Sequence, residues 1–227
     1  MTFLTLDLRA TLVSLALGIL LIILGGRLGA FFFIVMLYFL VISAIVTWIG
    51  TPYKKKRQLY EKSRGTKNVV ANGAIPLIMA SAFFVSAMAF TGLEQLMVFG
   101  FVGSVAAVAA DKFSSELGVL DGEPLMIFTL KKVRKGVSGG ITWFGLLMGL
   151  AGAFAISLSV VLLSGAFFTQ ALLYLIIGIS LSGFIGTIAD SMAGYFETKG
   201  VGNKFTSNGI ASIAGALTAM AIFAILM

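Results

Sequence analysis

Residues 136–189 read GVSGGITWFGLLMGLAGAFAISLSVVLLSGAFFTQALLYLIIGISLSGFIGTIA, which is 54 positions without a charged side chain. A membrane-spanning helix needs about 20 mostly apolar residues, so this stretch predicts two spans, with a break near Ser164-Gly165. The rest of the 227-residue chain is similar: 59% of residues are apolar, 11% are charged, and the mean hydropathy is +1.07. A soluble domain carries about 25% charged residues. The composition therefore excludes a soluble globular protein and predicts an all-α, polytopic transmembrane helical bundle.

Five further apolar stretches complete a predicted topology of seven spans. They are residues 10–26, 28–53, 68–93, 95–110 and 205–227, of which 95–110 is the shortest. We predict a single integral-membrane domain over residues 1–227. Its parts are two amino-terminal spans (1–53), a basic loop (54–67) and a five-span core (68–227) that contains a second loop (112–137).

The basic residues support this count and predict an orientation. With seven spans, 15 of the 16 Lys and Arg residues fall on one side of the membrane, and only Arg27 falls on the other. Cytoplasmic loops are enriched in Lys and Arg, so we expect the amino terminus and the long loops to be cytoplasmic. The net charge of +7 is then explained by orientation and by attraction to the lipid bilayer. We expect no nucleic-acid partner.

The chain contains no cysteine and no histidine. Disulfides, thiolate metal sites and cysteine nucleophiles are therefore excluded, and so is the side chain that most often acts as a general base near neutral pH. Any chemistry must use carboxylates, Lys and Arg side chains, hydroxyls, amides or the backbone.

Two aspartates end predicted spans that both run toward the cytoplasm. Asp111 ends the fourth span and Asp190 the sixth. An acidic residue within a span costs about 2.5–3.5 kcal/mol on insertion scales, so it indicates a functional site by default. Glu116 follows Asp111 closely, and Glu197 lies seven residues after Asp190, on the same helical face. The alternative is helix packing, with each aspartate capping a helix or paired to a lysine.

Small polar segments with glycine open three predicted outbound helices. They contain Asn72-Gly73, Ser138-Gly139-Gly140 and Asn208-Gly209. Two such entries precede a helix pair whose return helix ends in Ala-Asp, which predicts an internal parallel duplication. Ordinary helix N-capping by Asn and Ser is the alternative for each segment.

Together these features predict a cytoplasmic pocket for phosphate groups. Helix N-termini attract anions, and Mg²⁺ usually bridges carboxylates and substrate phosphates. The predicted catalytic residues are Asp111, Glu116 and Asp190. The predicted Mg²⁺ ligands are Asp111, Glu116, Asp190 and Glu197. The predicted nucleotide- or phosphate-binding residues are Asn72, Lys131, Lys132, Arg134, Lys135, Ser138, Gly139, Gly140 and Asn208.

Four motifs resemble a broad transmembrane family whose best-understood members are the phytyl-phosphate kinases of plant and cyanobacterial vitamin E synthesis. They are Arg64-Gly65-x-Lys67-x-x-x-Ala71-Asn72-Gly73, Asp111-Lys-Phe-Ser-Ser-Glu116-Leu-Gly118, Lys135-Gly136-Val-Ser138-Gly139-Gly140 and Ala189-Asp190-Ser191. The resemblance covers about residues 62–227. The chain departs from the family at Lys112 and Phe113, where Thr and Trp are usual, and at Glu197, where Gln is frequent. It is more distantly similar to phytol and dolichol kinases and to CTP-using lipid cytidylyltransferases.

The resemblance implies transfer of a phosphoryl group from a nucleoside triphosphate, CTP in particular, to a polyprenyl monophosphate of the phytyl or geranylgeranyl class. Two other functions stay open. A CTP:lipid cytidylyltransferase would form a CDP-lipid and release pyrophosphate. A membrane transporter would also contain repeats, helices interrupted by glycine and intramembrane acids, although transporter sites usually lie near the middle of the membrane.

Overall fold

The computed structural model describes residues 4–60, 64–163 and 172–226. Within these ranges the chain forms eight α-helices. They are α1 (Leu8–Leu24), α2 (Gly29–Trp48), α3 (Thr51–Lys56), α4 (Thr66–Met88), α5 (Glu94–Gly118), α6 (Trp143–Ser157), α7 (Leu172–Glu197) and α8 (Lys204–Leu226). Short 3₁₀ segments, Gly26–Leu28 and Leu158–Leu163, precede α2 and extend α6. The predicted break at Ser164-Gly165 lies outside the described residues, as does Lys62 of the first basic loop.

The predicted all-α membrane architecture is confirmed. Among the described residues, six helical segments are long and apolar enough to cross a membrane: Gly26–Trp48, Thr66–Met88, Glu94–Gly118, Trp143–Leu163, Leu172–Glu197 and Lys204–Leu226. Helix α1 is a seventh apolar helix, with 17 residues. Each of the seven predicted spans therefore corresponds to one apolar helix.

Helix α5 lies at the centre of the bundle. It packs against α2, α4, α6, α7 and α8, and every residue from 98 to 110 is buried. Small residues allow these close contacts: a Cβ added to Gly186 would lie 2.3 Å from the Cβ of Ala107, and one added to Gly103 would lie 2.3 Å from the Cβ of Ala219. Gly183 and Gly186, which share a helix face with Asp190, thus serve helix packing.

Several predicted boundaries are wrong because charged residues are tolerated within helices. The fourth span, predicted to end at residue 110, continues as α5 to Gly118, and α7 continues past Asp190 to Glu197. The first seven residues of the predicted loop 112–137 are therefore helical. The second span instead ends earlier than residue 53, at Trp48. Gly50, with φ +69°, then turns the chain into α3.

A two-stranded antiparallel hairpin replaces the predicted start of the fifth span. Strand β1 (Leu125–Met126) pairs with β2 (Gly140–Ile141). Helix α6 begins only at Trp143, and Thr142 caps it by accepting a hydrogen bond from the Gly145 backbone N–H at 2.9 Å. Ser138, Gly139 and Gly140 therefore lie in the hairpin and do not form a helix N-terminus.

Candidate functional site

A polar cavity of about 350 Å³ lies between the carboxyl-terminal parts of α5 and α7, the first turn of α8, and the loop that joins α5 to α6. Six predicted site residues line it: Asp111, Lys135, Ser138, Gly139, Gly140 and Asp190. Ser114, Ser115, Ser191 and Lys204 also face it. The cavity lies at the end of the bundle where α5 and α7 finish and α8 begins, as expected for helices of alternating direction.

Asp111 and Asp190 meet at this cavity through one lysine. The ammonium of Lys204 lies 2.8 Å from Oδ2 of Asp190 and 3.6 Å from Oδ2 of Asp111. The side chain of Asp190 is only 8% exposed, whereas that of Lys204 is 48% exposed and reaches the cavity. The prediction that the two carboxylates lie at one end of the bundle is confirmed.

The other oxygen of Asp190 has no hydrogen-bond donor in the part of the chain that the structure describes. Oδ1 is buried and accepts no hydrogen bond from any described residue. Buried polar atoms nearly always have a partner, and a buried carboxylate oxygen is costly to leave unpaired. The cluster also contains two carboxylates for one ammonium. The site therefore offers an unused acceptor and an excess of negative charge.

The hairpin forms the opposite wall of the cavity and is held against α7. Gly139 has φ +77°, and a Cβ there would lie 2.6 Å from the backbone N of Tyr195 and 2.9 Å from the carbonyl oxygen of Ser191. Ser138 donates a hydrogen bond of 2.7 Å to Glu197. A glycine at position 139 is therefore required for this approach, and Ser138 and Glu197 fix the loop to the helix.

Only one of the four predicted basic residues reaches the cavity. Lys135 donates 2.9 Å hydrogen bonds to the phenol oxygen of Tyr53 and to the carbonyl of Val119. This hydrogen bond and the positive charge lower the pKa of Tyr53 below its usual range. Lys131, Lys132 and Arg134 are exposed on the loop, outside the cavity lining. Lys132 pairs with Glu123 at 2.6 Å, which raises the pKa of Lys132 and lowers that of Glu123.

The two predicted asparagines contact each other away from the cavity lining. Asn208 donates a 3.0 Å hydrogen bond through Nδ2 to Oδ1 of Asn72. Neither caps a helix: Asn72 lies in the second turn of α4, and the amino-terminal cap of α8 is Asn203, which accepts from the backbone N–H of Phe205. Asn208 follows Lys204 by one turn on the same face of α8.

Glu116 is separated from the cavity, so the predicted grouping of acids is incorrect. Five residues along a helix correspond to a rotation of about 140°, which turns Glu116 away from the Asp111 face. Glu116 instead pairs with three basic residues: Lys54 at 2.7 Å, Lys112 in a short contact, and Arg64 at 4.0 Å. Lys54 is fully buried, and it also donates to the carbonyls of Val46 and Thr47 at the end of α2.

The four predicted magnesium ligands therefore do not form one cluster. Within the described ranges, no three acidic residues are close enough to hold a metal ion together. The structure brings together Asp111 and Asp190, while Glu116 joins α5 to α2, to α3 and to Arg64 just before α4. Glu197 binds Ser138 and leaves its other oxygen, Oε1, buried without a hydrogen-bond partner among the described residues.

Lys204 is a cavity residue that was not among the predicted site residues. One signal was available: Lys204 is the first residue of α8, where the helix macrodipole disfavours a positive charge. A lysine at that position requires acidic partners from elsewhere. Lys54 carried no comparable signal, because its burial depends on the turn at Gly50.

Comparison with known proteins gives the family of the chain. The family described as Integral membrane protein DUF92 matches residues 2–208. An uncharacterised membrane protein of Methanocaldococcus jannaschii is 36% identical over 197 residues, which is 86% of this chain and 77% of that protein. Protein PGR of Arabidopsis thaliana is 32% identical over 193 residues, which is 75% of this chain but only 64% of the plant protein. No solved structure matches the chain.

Proposed function

The chain belongs to the DUF92 family of integral membrane proteins, and on that premise we propose that it is a membrane-embedded prenyl-phosphate kinase. It would transfer the γ-phosphoryl group of a nucleoside triphosphate, with CTP favoured, to a phytyl- or geranylgeranyl-class monophosphate. The observation that carries the proposal is the pairing of Asp111 and Asp190 around Lys204 at a polar cavity. We place this cavity at the cytoplasmic interface, because most basic residues lie at that end of the predicted topology.

The residues at the cavity fit Mg²⁺. This ion takes oxygen ligands, and it is usually bound by one or two carboxylates together with substrate phosphates. Asp111 and Asp190 would hold it, and the buried Oδ1 of Asp190 is an acceptor that no described residue uses. Bound Mg²⁺ supplies positive charge that neutralises the nucleotide phosphates. Glu116 is not part of this proposal, because its carboxylate already pairs with Lys54 and Lys112.

The proposed chemistry suits a site without histidine. An oxygen of the acceptor monophosphate attacks the γ-phosphorus, and the bond from that phosphorus to the β,γ-bridging oxygen breaks. The products are a prenyl diphosphate and CDP. A phosphate monoester dianion needs no strong base to act as nucleophile, so the chain supplies positioning and charge. Lys204 and Lys135 provide cations at the cavity.

The test is an assay with two labels. Purified protein in detergent is given Mg²⁺, geranylgeranyl monophosphate, and CTP labelled in one sample at the γ-phosphorus and in another at the α-phosphorus. The proposal predicts that γ-label alone enters the prenyl product, together with release of CDP. Transfer of α-label with release of pyrophosphate identifies a cytidylyltransferase instead. If folded protein transfers neither label from any nucleotide, the kinase proposal is wrong and transport becomes the leading function.

Three variants connect the reaction to the cavity. Asp111→Asn and Asp190→Asn each remove one negative charge from the site and are expected to lower turnover by about 10²-fold or more, as loss of transition-state electrostatics does. Asp121→Asn is the matched control, because Asp121 is an exposed loop residue whose carboxylate bonds only the adjacent Gly122 N–H. It should keep wild-type turnover.

A further inference from the structure

A second cavity, of about 150 Å³, lies between α1, α2 and α4. Most of its lining is aliphatic or aromatic, including Leu15, Leu21, Phe33 and Leu37. Leu15 is 58% exposed and Leu37 is 43% exposed, so the cavity is a groove on the surface that faces lipid. From Thr11 to Leu21 the groove follows α1 for about 15 Å, at 1.5 Å per residue. This groove is separate from the polar cavity.

One end of the groove is polar. Arg64 lines it from just before α4, Asn68 and Asn72 line it from α4, and Thr11 and Ser14 line it from the start of α1. These residues lie at the same end because the chain before α1 runs beside the chain before α4, where the Asp7 N–H donates to the Arg64 carbonyl at 3.2 Å. The groove therefore has the shape and polarity of an amphiphile, with one apolar end and one end rich in hydrogen-bond donors.

The polar end also has an excess of positive charge. Arg64 belongs to the Glu116 cluster, in which one carboxylate is surrounded by three basic side chains. An anionic head group at the groove end would compensate this imbalance. Asn72 accepts the Asn208 hydrogen bond through Oδ1. The Nδ2 group of Asn72 is a donor that makes no hydrogen bond within the described residues. Both features select a negatively charged group that accepts hydrogen bonds.

Polar side chains lie between the groove and the polar cavity. Asn72 lines the groove and bonds to Asn208, and Asn208 lies one helical turn from Lys204, which contacts both aspartates. An anionic group at the Asn72 end is thus separated from the Asp111 and Asp190 carboxylates by two side chains.

We propose that the groove between α1, α2 and α4 binds the hydrocarbon chain of an isoprenoid monophosphate, with its phosphate at Arg64, Asn68 and Asn72. This inference rests on the proposed kinase function and identifies where the acceptor binds. The apolar groove fixes the chain, the polar end selects a phosphate, and the asparagine pair holds that phosphate about one helical turn from Lys204. Specificity for chain length would then be set by α1 and α2.

The first experiment fills the groove and measures kinetics. Leu15→Trp puts a larger side chain into the groove, and Leu12→Trp is the matched control because Leu12 is 59% exposed on the same helix but does not line the groove. We expect Leu15→Trp to raise the KM for geranylgeranyl monophosphate about tenfold, with the KM for CTP unchanged, as expected when only acceptor binding is lost. Leu12→Trp should behave as wild type. If Leu15→Trp has wild-type kinetics in an active kinase, the groove is not the acceptor site.

The second experiment does not depend on catalysis. A photoreactive geranylgeranyl monophosphate is cross-linked to the wild-type protein in detergent, and the labelled peptides are identified. We expect label in α1 and α2, removed by excess geranylgeranyl monophosphate but not by geranylgeraniol or phosphatidylglycerol. Equal competition by phosphatidylglycerol overturns the inference, since the groove would then bind bilayer phospholipid. Specific labelling by a protein that transfers no phosphoryl group supports this site while refuting the kinase.

Discussion

Helix α5 carries two ionic clusters that lie within two turns of each other and have opposite character. The Asp111 cluster has two carboxylates and one ammonium, and it lines a polar cavity. The Glu116 cluster has one carboxylate and three basic groups, and its Lys54 is fully buried. The first has unused acceptors and room for a ligand, whereas the single carboxylate of the second is already paired with basic groups of the protein. We assign catalysis to the first. In the second, Glu116 attaches neighbouring segments to α5, and the surplus positive charge includes Arg64, which lines the groove.

The difference shows that an acidic residue in a membrane helix is not functional by its position alone. Asp111 and Glu116 lie on one helix, and both end up beside lysines. What separates them is where the basic partners come from. Lys204 of α8 serves Asp111, whereas Glu116 pairs with Lys54 of α3, with Arg64 just before α4 and with Lys112 of α5 itself. Variants that change thermal stability without changing turnover, or the reverse, can therefore test which of the two clusters takes part in catalysis.

Glu116→Gln should have the largest effect on stability. The substitution keeps the size of the side chain but leaves Lys54 and its basic neighbours buried without a carboxylate. Breaking a buried ion pair by removing one partner costs about 3–5 kcal/mol, so we expect a clear fall in thermal midpoint, read from the fluorescence of Trp48 and Trp143. Turnover per folded molecule should be retained. Glu123→Gln, which alters an exposed pair, is the control and should leave the midpoint unchanged.

A different result would exchange the roles of the two clusters. If Glu116→Gln keeps the wild-type midpoint and abolishes turnover, Glu116 belongs to the chemistry, as the sequence alone predicted.

Lys204→Met should lower turnover by about tenfold to 10²-fold, because the cavity loses the cation that would face the transferred phosphoryl group in the proposed reaction. Lys204→Arg retains the charge and should recover part of this loss. Lys199→Met provides the comparison, since Lys199 is exposed and lies over the Tyr195 ring outside the cavity. Initial rates at saturating CTP, normalised to folded protein, measure the effect. If Lys204→Met and Lys199→Met have equal turnover, Lys204 does not contribute to the reaction.

Gly139→Ala should have a smaller effect that combines strain with displacement of the hairpin. A left-handed conformation costs a residue with a Cβ roughly 1–2 kcal/mol, and the Cβ would also collide with the α7 backbone. Gly200→Ala isolates the first contribution, because Gly200 has φ +83° and no heavy atom within 4 Å of the added Cβ. Gly139→Ala should therefore lower both midpoint and turnover, and Gly200→Ala the midpoint alone. Identical losses in the two variants would show that the approach of the hairpin to α7 is unimportant.

The smallest effect concerns the titration of Tyr53. Lys135 stabilises the phenolate and lowers the pKa of Tyr53, so Lys135→Met should raise that pKa toward its usual value near 10. The pKa of Tyr53 is lower in the folded protein than in the unfolded chain. The Lys135–Tyr53 pair therefore adds to the free energy of unfolding only as the pH rises through the folded-state pKa of Tyr53, and it adds nothing at neutral pH. Absorbance of tyrosinate, with Tyr53→Phe to assign the signal, measures the shift. If Lys135→Met leaves the titration of Tyr53 unchanged, Lys135 does not lower the pKa of Tyr53.

The sequence correctly predicted the features that depend on the residues of each helix and on its direction through the membrane. The seven apolar helices follow from runs without charge, and the meeting of Asp111 and Asp190 follows from two helices that run in the same direction. Helical periodicity could also have separated Glu116 from Asp111, because five residues do not share a face. The prediction failed there because it grouped acids by proximity in the sequence.

Other features could not be predicted, because they depend on how helices are rotated and how loops fold back. The burial of Lys54 requires the left-handed turn at Gly50, and the contact of Lys204 with two acids requires α8 to lie between α5 and α7. The hairpin was missed because its glycines are equally typical of a helix entry. Periodicity gives the face of each helix but not the neighbour that this face meets.

The most direct test of the account measures γ-phosphoryl transfer and thermal midpoint in the same preparation of Asp190→Asn. This variant replaces one of the two like charges at the cavity and leaves Lys204 its partner Asp111. We predict that transfer from γ-labelled CTP to geranylgeranyl monophosphate falls by about 10²-fold or more, with no loss of midpoint. Wild-type transfer by Asp190→Asn would contradict the central claim that the Asp111 and Asp190 cavity is the site of phosphoryl transfer.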